Sequence, residues 1–313
     1  MEIYQKIRKY TVSRIVSGLF NRVRLYADGI GSLFPKIIYG NNAGMINNFI
    51  PLVELKKNRR KFNRSSINLE QEPFFSDADR LNTNGYIIVK LEKNRDLSNL
   101  IREKLDKAIK DDSYSFSSSS GATRYLIDPL LIIPELKELL SDKINKILLS
   151  YYQCAFRIES VRVWRNFHVP NVDPDKDDRF SNTFHNDNYA VTGLRIFVLL
   201  CDNVTRETGA FRFHDKINSS KLIRSLGYFH RYKMPEKMRK KLLDPAQLKY
   251  FEGDFGDIAV CNTQECLHAA SIPKFGSYRD MLQFEIYPTD YEYFNEKDLF
   301  ETIPTDSQLL SMM

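Results

Sequence analysis

The stretch "FHNDNYAVTGLRIFVLL" (residues 184–200) joins a polar segment to an uninterrupted apolar run. The run is rich in β-branched and aromatic residues and is bounded by Gly193 and Asp202, which predicts a buried strand. Side chains two apart on an extended chain project from the same face. His185 and Asp187 therefore aim an imidazole and a carboxylate at one point, immediately before a core strand.

The same strand signature recurs on both sides. "FRIESVRVWRNF" (156–167) alternates, and "GAFRFH" (209–214), "GDIAVCN" (256–262) and "RDMLQFEIY" (279–287) are short runs bounded by turn residues. Upstream, "GYIIVKL" (85–91) reads as a strand. "DLSNLIREKLDKAI" (96–109) reads as a helix capped by Asp96 or Ser98. "PELKELLSDKINKILLSYY" (134–152) has Pro134 in its first turn and a leucine/isoleucine stripe, which predicts one long helix. The serine-rich 111–122 and the Pro/Asp-rich 168–182 read as loops. Residues 221–250 read as a helical, basic insertion, a solvated face or a lid over an anionic substrate. Helices followed by many short strands predict a mainly β antiparallel sandwich or barrel with flanking helices.

Charge divides the chain unevenly. Residues 1–64 carry thirteen Lys/Arg against Glu2, Asp28 and Glu54, although the whole chain is only +6. Residues 3–26 space apolar and basic positions as an amphipathic helix, expected to dock on a membrane surface, on a partner or on the main domain. The basic run "ELKKNRRKFNR" (54–64) reads as a solvated linker. The expected organisation is a basic helical extension over 1–70 and a catalytic domain over 71–313. No nucleic-acid motif accompanies the charge, so no nucleic-acid partner is expected. Four cysteines without a C-x-x-C spacing suggest reduced thiols, and no apolar stretch is long enough to span a bilayer. A cytoplasmic protein, membrane-peripheral at most, is the expectation.

A third ligand candidate, His268, follows in "GDIAVCNTQECLHAAS" (256–271) at the end of what reads as a single strand, and Arg279 follows eleven residues later. Two imidazoles and a carboxylate can occupy one face of an octahedral metal and leave the opposite positions open. An arginine fork suits a carboxylate through paired, charge-assisted hydrogen bonds. Arg195, a charge inside "LRIFVLL", needs a partner if it is buried. Alternation puts it on a face with Phe197 and Leu199, where it is expected to contact a co-substrate or an anionic substrate group, or else to form a salt bridge at a strand edge. Trp164 and Asn166 share a face of the preceding strand and are pocket-lining candidates. His168 is a candidate for substrate contact, and His214 and His230 are not expected to be ligands.

The order of "HND" (185–187), "NVTRETGAFRF" (203–213), "GDIAVCNTQECLHAAS" and Arg279 resembles the phytanoyl-CoA dioxygenase-like branch of the Fe(II)/2-oxoglutarate-dependent oxygenases, over roughly residues 74–290. The resemblance implies a double-stranded β-helix (jelly-roll, cupin-like) core. It implies that His185, Asp187 and His268 bind iron. Arg279 would hold the outer carboxylate of 2-oxoglutarate, with Arg195 and Asn166 as further cofactor-side residues. It implies a dioxygenase that uses Fe(II), 2-oxoglutarate and O2, releases succinate and CO2, and hydroxylates a small-molecule or lipid-like metabolite. Relatives that halogenate carry a small residue at the position of Asp187, so the carboxylate favours hydroxylation or another oxidative outcome such as desaturation. The stretch from Gly256 to His268 is one residue longer than in that family, which suggests a bulge. The competing readings are a non-catalytic jelly-roll binding protein and a metal-dependent hydrolase or isomerase on the same barrel.

Overall fold

The computed structural model describes residues 45–62, 75–92, 94–118, 120–170, 181–187, 192–226, 234, 240–242, 244–289 and 299–300. The amphipathic stretch 3–26, His230, most of the 168–182 loop and much of the 227–243 segment lie outside them.

Alternating and continuous apolar runs become two antiparallel sheets. The larger contains β1 (Tyr86–Val89), β2 (Ser115–Ser117), β3 (Thr123–Leu126), β4 (Phe156–Phe167), β5 (Leu194–Leu199), β8 (Ile258–Cys261) and β10 (Tyr278–Pro288), in the order β1-β8-β5-β10-β4-β3-β2. The smaller contains β6 (Phe211–Phe213), β7 (Lys249–Phe251) and β9 (His268–Ala269), in the order β7-β6-β9. Bridges from His185 to His268 and from Phe184 to Met234 widen it. This is the expected architecture, mainly β with flanking helices around a double-stranded β-helix.

At β5 both faces of the large sheet are buried, which explains why that strand is apolar at every position but one. Ile196 and Val198 of β5, with Val161, Val163, Leu282 and Phe284, pack against the helical layer. That layer supplies Ile101 and Leu105 from α3 (Arg95–Ala108), and Ile144, Ile147 and Leu148 from α4 (Asp142–Tyr152). Phe197, Leu199 and Met281 face the other way, toward Phe211, Phe213 and Phe251 of the small sheet. Each such side chain, fully buried, contributes roughly 1.5–3 kcal/mol. The inter-sheet layer also holds the polar groups described below.

Several local expectations are corrected. The cap of α3 is Asn94, whose side chain accepts from the Leu97 N–H, rather than Asp96 or Ser98. The single helix expected over 134–152 is two. A 3₁₀ segment, Pro134–Leu139, ends at Leu140 (ψ 79), and Ser141, extended at ψ 159, opens α4. The non-helical backbone at Leu140 and Ser141 interrupts the stripe, and the Ser141 side chain makes no capping hydrogen bond. The serine-rich segment 111–122 contains β2, which pairs with β3.

The basic run at 54–64 is helical as far as Phe62, in α1 (Met45–Phe62). Leu55 reaches the core, and Arg59 donates to the carbonyls of Tyr152 (2.7 Å) and Tyr151 (3.3 Å), satisfying the open end of α4. In the 221–250 segment the helix starts earlier, at Lys216, and runs to Leu226, while Lys249 and Tyr250 belong to β7. None of the four cysteines is in a disulfide, and no described helix is long and apolar enough to cross a membrane.

Helices and sheet are tied together by Arg165 and Asp280, directly opposite each other on β4 and β10 and both buried. The guanidinium is bidentate, Nε to Oδ1 at 2.6 Å and Nη2 to Oδ2 at 2.7 Å. Asp106 of α3 adds a third contact at 2.5 Å, and Tyr278 lies against the cation at 4.0 Å. Removing one partner leaves a buried charge uncompensated. Asp280→Asn is expected to lower the free energy of unfolding in urea by about 3–5 kcal/mol, whereas Asp112→Asn, whose carboxylate is exposed, is expected to change it by less than about 1 kcal/mol.

Candidate metal centre

His268 opens β9 and pairs with Phe213. Across from it, His185 exchanges two backbone hydrogen bonds with the same residue, His185 N–H to His268 C=O and the reverse, each 2.9 Å. Directly opposed residues of an antiparallel bridge send their side chains to the same face. The two imidazole centroids are accordingly 4.3 Å apart. Asp187 is held by its N–H to the Thr263 carbonyl at 3.1 Å. Its Oδ1 lies 3.8 Å from His185 Nε2 and 3.7 Å from His268 Nε2. One donor atom from each of the three residues falls within 4.8 Å of the others.

The rings are held in a definite orientation. His185 Nδ1 is 2.8 Å from the Thr183 carbonyl, and His268 Nδ1 is 3.0 Å from the Cys266 carbonyl. A neutral imidazole that donates through Nδ1 keeps its lone pair on Nε2, and here both Nε2 atoms face Asp187. Burial, reinforced by the neighbouring His185, brings His268 down to about 4. Burial alone would raise the Asp187 carboxyl, but the charges of His268 and Arg195 and a hydrogen bond with Thr263 outweigh it and hold the group below its ordinary range. The set at neutral pH is a neutral His268 beside an ionised Asp187.

The path to His268 differs from the sequence expectation. Residues 256–268 do not form one strand. β8 ends at Cys261, and Asn262 turns the chain. Its carbonyl accepts from Glu265 N–H (3.0 Å) and Cys266 N–H (2.8 Å), and its side-chain oxygen accepts from Gln264 N–H and Glu265 N–H at 3.2 Å. β8 pairs with β1 and β5 without a register shift, so the chain leaves it through this turn and not through a bulge. The turn moves the chain from the large sheet to the small one and sets His268 opposite His185.

Arg279 lies on the inter-sheet face of β10, opposite Asn166 of β4. Nη2 donates to Asn166 Oδ1 at 2.5 Å, Nη1 donates to the Gly209 carbonyl, and Nε has no hydrogen-bond partner. Among the described residues no carboxylate makes an ion pair with it, and burial brings its pKa down to about 10. Asn166 is itself fixed, accepting from Trp164 Nε1 (2.9 Å) and donating to Thr123 Oγ1 (2.8 Å). Asn166 thus orients Arg279, and Trp164 orients Asn166.

Arg195 does share a face with Phe197 and Leu199. Its main contact is Glu285, directly opposite on β10, with Nη2 2.8 Å from Oε1. Its Nε stands 3.9 Å from Asp187 Oδ2, so the pair backs the metal-side carboxylate. Glu285 also accepts from Ser160 Oγ and Tyr287 OH, each at 2.9 Å. Glu285 escaped the sequence reading. An acid six residues after Arg279 on an apolar strand shares its face, and that was the available signal. Thr183, Thr263, Cys266 and Gly209 contribute through backbone carbonyls, which no sequence pattern marks.

His168 stands apart from the triad, its Nδ1 2.8 Å from the Pro273 carbonyl. It lines, with Phe167, Phe275 and Tyr278, a cavity of about 440 Å³ at the end of the β4–β10 pair. His214 is buried beside Phe184.

No family model matches the chain, and no curated protein matches it. Solved structures do. The epimerase SnoN in complex with Fe3+, alpha ketoglutarate and nogalamycin RO superposes with a TM-score of 0.50 and 14% identity, over 69% of this chain and 83% of that one. HygX from Streptomyces hygroscopicus with nickel, 2-oxoglutarate and hygromycin B bound gives 0.47 and 16%, over 71% and 88%. EctD from S. alaskensis with bound Fe gives 0.49 and 13%, over 68% and 76%. The match to SnoN establishes a shared fold.

The depressed His268 has a measurable consequence in the metal-free protein. The unfolded chain takes up this proton near the ordinary histidine value of 6.5, the folded chain only near 4. The stability that depends on a neutral His268 is therefore complete above about pH 6.5 and lost as the pH falls toward 4. Urea unfolding of metal-free protein across that window should show this loss, and His268→Gln should flatten it.

Proposed function

We propose that this chain is an Fe(II)- and 2-oxoglutarate-dependent oxygenase of the phytanoyl-CoA dioxygenase-like type that hydroxylates a small organic molecule. One observation carries the reading: two histidines and an aspartate converge within 4.8 Å, in the same inter-sheet layer as a buried arginine that makes no ion pair with a described carboxylate. Two neutral imidazole nitrogens and one carboxylate oxygen on one face are the donor set non-haem Fe(II) takes, and both Nε2 atoms are turned to receive it.

When bound, iron and 2-oxoglutarate would supply oxygen activation, with 2-oxoglutarate converted to succinate and CO2 as a substrate C–H bond is oxidised. The chain's own residues do the rest. His185, Asp187 and His268 hold the metal with an open side. Arg279, kept in place by Asn166 and the Gly209 carbonyl, offers its free Nε edge to the far carboxylate of the co-substrate. A buried guanidinium without a counter-ion is costly, so the site favours an anion there. The Arg195–Glu285 pair steadies the second oxygen of Asp187. Phe197, Leu199, Phe211 and Met281 exclude water. A zinc hydrolase could use the same three ligands but has no need of Arg279. SnoN, an epimerase on this fold, makes stereoinversion the second outcome to assay.

Incubation with Fe(II), ascorbate, O2 and 2-oxoglutarate is expected to release succinate, and Asp187→Ala to abolish it. Arg279→Gln should raise the KM for 2-oxoglutarate roughly 30-fold or more, the cost of removing one member of a buried charge pair. Failure of the wild-type protein to bind 2-oxoglutarate in the presence of Fe(II) would sink the reading.

A further inference from the structure

The inter-sheet face of the large sheet is a grid whose rows follow from strand register. One row is Arg195–Glu285–Ser160, which backs Asp187. The next is Phe197–Gln283–Arg162. The third is Leu199–Met281–Trp164–Tyr125–Phe116, running from the strand beside the triad to the outer edge of the sheet. Arg279, Asn166 and Thr123 form the fourth, on the co-substrate side.

Two features of this grid make no hydrogen bond or ion pair with His185, Asp187, His268 or Arg279 among the described residues. Arg162 is exposed and makes no ion pair with any described residue. The other arginines of β3, β4 and β5 do make them: Arg195 with Glu285, Arg165 with Asp280, Arg157 with Glu159 and Arg124 with Asp112. The second feature is the aromatic row. Phe116 and Tyr125 stack at 5.4 Å, and Tyr125 meets Trp164 at 6.3 Å. Phe116 is 50% exposed and Tyr125 and Trp164 are half-buried, so the row is an open apolar strip. Arg162 precedes Trp164 by two residues on the same face of β4, one register row from the strip.

The strip is continuous with the proposed co-substrate site, because Trp164 Nε1 donates to the same Asn166 oxygen that receives Arg279. An apolar strip flanked by one uncompensated cation suits a ligand with an apolar body and a single anionic group. We propose that Arg162 with Trp164, Tyr125 and Phe116 forms the substrate subsite, and that the substrate is an organic anion, such as a carboxylate, on an apolar skeleton. The proposal rests on the oxygenase reading for the meaning of "substrate", but the binding it describes can be measured without turnover.

The chain has a single tryptophan, Trp164, so intrinsic fluorescence reports from within the strip. The protein is kept anaerobic with Fe(II) and saturating 2-oxoglutarate and titrated with octanoate and, separately, with octan-1-ol. Octanoate should give a saturable response at a concentration about tenfold lower than octan-1-ol, the ratio expected for one charge-assisted hydrogen bond. R162Q should erase the difference between the two probes, and Y125A should weaken both. Equal affinity of the wild type for the two probes, the absence of a saturable response, or a preference that survives in R162Q would overturn the proposal. A separate calorimetric titration with 2-oxoglutarate tests the oxygenase reading. If that fails while octanoate still depends on Arg162, the subsite stands and the oxygenase reading falls; the converse result removes the subsite alone.

Discussion

Two backbone hydrogen bonds between His185 and His268 hold the site together. They join a segment that precedes β5 to a strand that follows β8, more than eighty positions later in the chain. Without them neither imidazole has a fixed direction, and Asp187, two residues along, loses its relation to both. The side-chain chemistry is thus built on peptide groups: the bridge sets the spacing of the rings, and the carbonyls of Thr183 and Cys266 set their tautomers.

Buried charge follows the same logic on both faces of the large sheet. On the helix side, Arg165 and Asp280 neutralise each other and bind α3 to the strands. On the inter-sheet side, Arg195 and Glu285 do so beside Asp187. Arg279 breaks the pattern. It is as buried as the others, yet its partners are a neutral amide and a peptide carbonyl. A protein interior tolerates such a cation where a ligand supplies the missing charge, which is the role proposed for Arg279.

Much of this is legible in the sequence, and for a local reason. β4 and the run of β5 were readable because alternation and β-branched content are properties of neighbouring residues. His185 and Asp187 were readable as a pair because period-2 geometry needs only three residues. The misread segments are those where a local signal competed with a tertiary one. The stripe over 134–152 hid the break at Leu140 and Ser141. The charge of 54–64 hid Leu55 and Arg59, whose contacts lie on α4 and in the core. The Asn262 turn was read as strand because its apolar flanks look alike on either side.

The sequence by itself determined the strand-rich, helix-flanked class, the identity of three ligand candidates and the presence of two arginines that a core strand must accommodate. These depend on side-chain type and short-range periodicity. Only the tertiary structure decided which arginine meets a carboxylate and which meets a neutral amide, because that depends on which residue lies opposite. Glu285 meets Arg195, while Asn166 meets Arg279. Register between strands separated by scores of residues is set by the packing of the whole sheet, and no local pattern in the chain encodes it.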